Sequence, residues 1–234
     1  MFNVEPHRYL ASIWGAWFLF TMLAVFSAGV VPSVLTIPAA AFVIWVTFWC
    51  VDCAYRTERF SKYASLRLFT NLGVAPGFAF LMALVATYKQ FKLGLGMSIL
   101  ISCMPLAVCM IVYFLLCVWR NPRSSLVVRS QRVEVVEPNQ ENRWALGAVG
   151  GGLGILIYPV FHAYRSPALL LVFLFIVIAL FMFFYHRTSI SSLRTLKDQE
   201  AREHQEYTFM NVEELRSRRA TSWIGRIFAT KVDR

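Results

Sequence analysis

The sequence predicts an all-α integral membrane protein: six transmembrane helices forming three antiparallel hairpins, both termini cytoplasmic, and a basic cytoplasmic C-terminal tail. Three observations predict it. First, 58% of the 234 residues are hydrophobic, only 15% are charged, and mean hydropathy is +0.56. An average soluble domain carries about 25% charged residues, so this chain cannot cover itself with water-compatible surface. An ordinary soluble enzyme, a disordered chain and a nucleic-acid-binding domain are thereby excluded as the whole molecule. Second, the apolar residues occupy long charge-free blocks rather than amphipathic stripes. Third, Lys and Arg fall almost entirely on one side of those blocks.

The blocks cover residues 11–31, 34–51, 68–88, 94–118, 144–164 and 168–185. A helix needs roughly 20 residues to cross about 30 Å of hydrocarbon. A lipid-facing chain must satisfy its own backbone, which leaves helices or a closed barrel. A barrel requires alternating apolar and polar residues, and ALLLVFLFIVIALFMFFY at 168–185 has no polar alternation. The first block is too long for a signal-peptide core, and Pro32 leads straight into the next span, so it reads as an uncleaved helix. The third is the weakest of the six, containing Asn71, Gly73, Pro76 and Gly77.

With the N-terminal residues 1–10 in the cytoplasm, Arg8 lies inside, as do the four basic residues of the 52–67 loop. Five more occupy the 119–143 loop and ten the 187–234 tail. Of the 23 basic residues, only Lys89, Lys92 and Arg165 lie outside. A wrong topology would not give that asymmetry, so the six-helix bundle occupies 11–186 with three short external turns. The 119–143 loop contains SLVVRSQRVEVVEP, whose β-branched residues suit a short extended segment or hairpin. In the tail, Trp223 and Ile227, and Ile224 and Phe228, sit at i,i+4 among Arg216, Arg218, Arg219, Arg226 and Lys231. Two readings stay open: an amphipathic basic helix on the anionic leaflet, or a solvated tail that only supplies topological charge. The tail carries ten basic and seven acidic residues and no recognition motif, so a nucleic-acid partner is not expected.

No constellation points to chemistry. Cys50 and Cys53 form a CxxC without a second ligand pair or a thioredoxin-like context, and the other three cysteines lie in the fourth helix, where they read as small hydrophobes. Asp52 adjoins an apolar core, with Arg56 four residues later as the expected partner. His162 and His186 lie toward opposite sides of the bilayer and cannot share a metal. No Walker A loop, HExxH, GxSxG or paired carboxylates occur. No catalytic, cofactor-binding or metal site is therefore expected. The strongest packing signal is LGAVGGGLG, where Gly147–Gly151 and Gly150–Gly154 form two overlapping small-xxx-small pairs that allow close backbone approach. Trp119 and Trp144 flank the second internal loop, and Trp223 and Phe228 the tail, as interfacial anchors.

By elimination, the expected role is that of a non-enzymatic multi-pass protein of the inner (plasma) membrane acting through protein–protein contacts. An accessory subunit of a secretion or conjugation assembly, or an immunity or exclusion protein, fits that description. The partners expected are the bilayer and a membrane or cytoplasmic protein. The alternative is a small transporter or channel subunit, which needs polar side chains converging at mid-membrane, and Thr47, Asn71, Ser98 and Ser102 are the only modest candidates.

Overall fold

Apolar runs with no internal breaker but a few prolines dictate long helices, and a computed structural model describing residues 2, 6–118, 126–129, 131–135 and 167–221 is mostly helical. Five of its helical segments are long and apolar enough to cross a membrane: Pro6–Val30, Pro32–Arg56, Phe60–Gln90, Leu95–Val118 and Ala168–Tyr185. The expected span at 144–164, with Gly147, Gly150, Gly151 and Gly154, lies outside the described residues. So do Trp119, Trp144, Trp223 and Phe228.

Helix α1 (Tyr9–Val30) meets α2 (Pro32–Val51) at a single residue, Val31. Pro32 takes the first helical position, where its missing N–H costs nothing, and the Leu35 N–H donates to the Val31 carbonyl at 3.0 Å. After α2 the chain widens into a π-helical turn, Asp52–Arg56, and α3 (Phe60–Leu84) begins four residues later. The expected internal loop at 52–67 is thus a short bend, with residues on both sides already helical. A second π-helical turn (Val85–Gln90) leads into α4 (Leu95–Val118). Pro38, Pro76 and Pro105 lie inside α2, α3 and α4, as the sequence placed them.

Helix α3 is the hub. It packs against α1, α4, α5 (Pro167–Tyr185) and α6 (Arg187–Glu203), while α1 and α2 pack on each other. Gly73 and Gly77 explain its approach to α1. A Cβ on Gly73 would stand 3.3 Å from Phe20 Cζ, and one on Gly77 only 3.0 Å from Leu23 Cδ1. An aromatic seam joins α1, α2 and α3, with Phe69 ring centroids 4.9 Å from Phe20 and 5.3 Å from Trp49. On the other side Phe78 stacks on Phe175 of α5 at 5.2 Å.

Beyond the spans lies a head. β1 (Leu126–Arg129) and β2 (Arg132–Val135) pair antiparallel, with Leu126 opposite Val135 and Arg129 opposite Arg132. β3 (Thr208–Phe209) joins the other edge of β2 in parallel, Val133 opposite Phe209. Helix α6 is amphipathic: Ile190, Leu193, Leu196 and Glu200 are buried at helical spacing. It stops at His204, which takes a left-handed conformation (φ 50°). Helix α7 (Val212–Thr221) carries Glu213 and Glu214 in its first turn and Arg218 and Arg219 in its last, complementing the helix dipole.

Candidate functional site

The feature that distinguishes this bundle is a polar lock where the C-terminal segment meets the ends of the membrane helices. The π-helical turn creates it. In an α-helix the Thr57 N–H would donate to the Cys53 carbonyl; here it donates to Asp52 O, at 2.9 Å, which leaves the Cys53 carbonyl without that donor. Two side chains fill the vacancy. Tyr9 Oη, from the first residue of α1, donates to Cys53 O at 2.6 Å. Arg219, from α7, sends Nη2 to Cys53 O at 3.2 Å, to Thr57 O at 2.8 Å and to Tyr9 Oη at 2.9 Å. Its guanidinium also lies 5.6 Å from the Tyr9 ring centroid.

A buried guanidinium must be hydrogen-bonded to persist, and Arg219 is only 6% exposed. Charge-assisted bonds of this kind contribute roughly 1.5–3 kcal/mol each in favourable cases, so the set can hold α7 against the helix ends. Apolar rings close around it: Phe209 of β3 sits edge-on to Tyr9 at 5.7 Å, to Phe60 at 5.5 Å and to Tyr63 at 5.6 Å. Phe2 packs on Phe60 from the N-terminal side at 6.3 Å.

Ion pairs surround this core. Arg216 binds Glu58 bidentately, both distances 2.7 Å, and those hydrogen bonds hold the Glu58 carboxyl below the usual carboxylate range. Arg59 pairs with Glu206 at 3.0 Å and with the buried Glu200 at 3.7 Å, while Glu200 also accepts the Tyr207 N–H at 3.3 Å. Tyr207 Oη donates to Glu203 at 2.5 Å, which pushes the phenol up to about 12. The Tyr207 carbonyl in turn accepts the Phe60 N–H at the start of α3, at 2.9 Å. Arg194 of α6 donates to the Cys117 carbonyl at the end of α4. The segment 187–221 is thus stitched to α1, α3, α4 and the turn after α2.

Several sequence expectations resolve differently here. Asp52 pairs with Lys62 at 2.8 Å rather than with Arg56, because the π-helical register removes the i,i+4 relation. Arg216, Arg218 and Arg219, expected to face a leaflet or solvent around the tail's apolar anchors, are engaged by Glu58, by Glu214 and by the lock. Cys50 and Cys53 are buried and unbridged, and Cys53 matters through its carbonyl. His186, at the α5–α6 junction, is buried. Of the four polar candidates, Ser102 donates to Ser98 O within α4 and Ser98 to Leu93 O just before it, while Thr47 donates to Val43 O of its own helix and accepts the Trp17 indole N–H of α1 at 2.8 Å. Asn71 lies half-buried in α3. Among the described residues, no three His, Cys, Asp or Glu side chains are arranged to hold a metal.

Tyr9 and Arg219 escaped the sequence reading because they are 210 positions apart and no local pattern couples them. Gly73 and Gly77 did carry a signal, the same four-residue small-xxx-small spacing recognised in the fifth block. No protein-family model, curated protein or solved structure matches the chain.

Proposed function

We propose that this protein is a non-enzymatic, six-span membrane protein acting through protein contacts made by its head. Its spans form three antiparallel hairpins in the inner (plasma) membrane, with both termini cytoplasmic. The observation that carries this reading is the lock: a C-terminal segment rich in charge is held on the helix ends by the buried Arg219, with an ordered sheet beside it. A tail needed only for topological charge has no use for such an anchor. The head leaves Val127 and Met210 exposed on its surface, side chains suited to a protein contact. The distribution of basic residues supports the head's cytoplasmic side. A subunit of a secretion or conjugation assembly, or an immunity or exclusion protein, matches this design.

The test has two parts. Reporter fusions at Glu134 and at the C-terminus should report cytoplasm, and a fusion at Gln90 the exterior; a cytoplasmic signal at Gln90 contradicts the topology. Photo-crosslinkers placed in cells at Val127 and Met210 should capture the same discrete protein adduct, whereas Lys89 on the opposite side should not. Absence of an adduct from both head positions contradicts a contact function.

A further inference from the structure

A cleft of about 420 Å³ opens beside the lock, between the first turns of α3 and the C-terminal half of α6. Ser61, Lys62 and Ser65 of α3, at i, i+1 and i+4, line it together with Arg59 and with Lys197 of α6. Trp49, in the last apolar turn of α2 and 5.1 Å from Trp45, also lines it. Arg67 is the last charged residue before the apolar part of α3, and Asp52 the first after that of α2. The cleft therefore sits where both helices leave hydrocarbon, the depth of lipid phosphates, with an indole at the level such rings favour.

Its cations have donors to spare. Lys197 is exposed and has no ion-pair partner among the described residues. Lys62 gives one contact to Asp52, at 2.8 Å, out of three ammonium protons. Arg59 Nε is buried with no acceptor. The one carboxylate lining the cleft, Glu200, is occupied by Arg59 and the Tyr207 N–H. Cations gathered beside an indole at this depth suit a phosphate attached to an acyl chain. We propose that the cleft binds the headgroup phosphate of an anionic phospholipid, seating it between α3 and α6 and so coupling the head to the leaflet. This rests on the bilayer-spanning reading alone and is independent of any protein partner.

The test uses the full-length protein in detergent, with bound lipid counted by native mass spectrometry after addition of phosphatidylglycerol or phosphatidylcholine. Phosphatidylglycerol should be retained selectively, and millimolar glycerol phosphate should compete with it. The double variant Lys62→Gln/Lys197→Gln should weaken phosphatidylglycerol binding about tenfold or more, since each cation near an anionic group contributes appreciably. Lys197→Arg should keep binding, and so should Arg202→Gln on an exposed position of α6 outside the cleft. Equal retention of both lipids, or wild-type retention by the double variant, overturns the proposal. Binding of glycerol phosphate without any preference for phosphatidylglycerol would assign the cleft to a soluble phosphate and overturn the lipid assignment.

Discussion

Helices α2 and α3 are neighbours of opposite character. The most apolar stretch of the α2 segment has a mean hydropathy of 2.1 and 11% of its residues are buried within the protein; that of the α3 segment is less apolar, at 1.8, yet 44% of its residues are buried. The large apolar side chains of α2 face outward, Ile37 at 81% and Phe48 at 67% exposure. Helix α3 replaces such residues with Gly73, Gly77 and the buried Ala75, Ala79 and Ala83. On α3 the small residues mark where another helix is pressed close, whereas hydropathy alone does not separate a face turned outward from one turned inward. In a bilayer there is no hydrophobic gain from moving a leucine between lipid and a helix, so close packing is what small residues supply.

The comparison breaks most readily at Gly77. Gly77→Leu drives a branched side chain into Leu23 and should destabilise the bundle by about 1–3 kcal/mol, toward the upper end. Ala40→Leu, on an exposed face of α2, should leave the melting temperature in detergent nearly unchanged. Equal effects at the two sites would remove the distinction between the helices.

Arg219→Gln should have the next largest effect, about 1–3 kcal/mol, through loss of charge-assisted bonds to three oxygens. Its signature differs from that of Gly77→Leu: α7 should become protease-sensitive while the spans stay folded. Limited proteolysis with mass-spectrometric mapping separates the two outcomes.

The smallest effect belongs to Glu58 and Arg216. The Glu58 carboxyl is held below its ordinary value, so its contribution is complete above the unfolded carboxylate range. It fades as pH falls through the lower folded value. Because Arg216 is 43% exposed, the pair should contribute no more than about 1 kcal/mol. Acidification below about pH 4 should loosen α7 modestly in the wild-type protein, and Glu58→Gln should show less of that dependence. An α7 that loosens instead between neutral pH and pH 6 would point to another group.

The helical character of the chain and its long apolar helices are legible in the sequence, for a physical reason. A span must be continuous and charge-free, and the described helices fall where such runs occur. What stayed hidden is what is relational. Asn71 and Pro76 made the third block read as the weakest span, although polarity there reflects a helix surrounded by protein. Gly73 and Gly77 share the four-residue spacing of the fifth block's glycines, but as one isolated pair the spacing carries little signal in the sequence. The π-helical turn at Asp52–Arg56 has no composition that announces it. Arg219 resembled every other arginine of a basic tail until Tyr9 and the Cys53 and Thr57 carbonyls were brought to it by the fold.

The claim that the C-terminal segment is a docked head is tested most directly by amide hydrogen exchange on the full-length protein in lipid nanodiscs. The account predicts that amides of 212–221 exchange slowly in the wild type, and that Arg219→Gln speeds their exchange while those of α3 stay protected. Rapid exchange across 212–221 in the wild-type protein would contradict it.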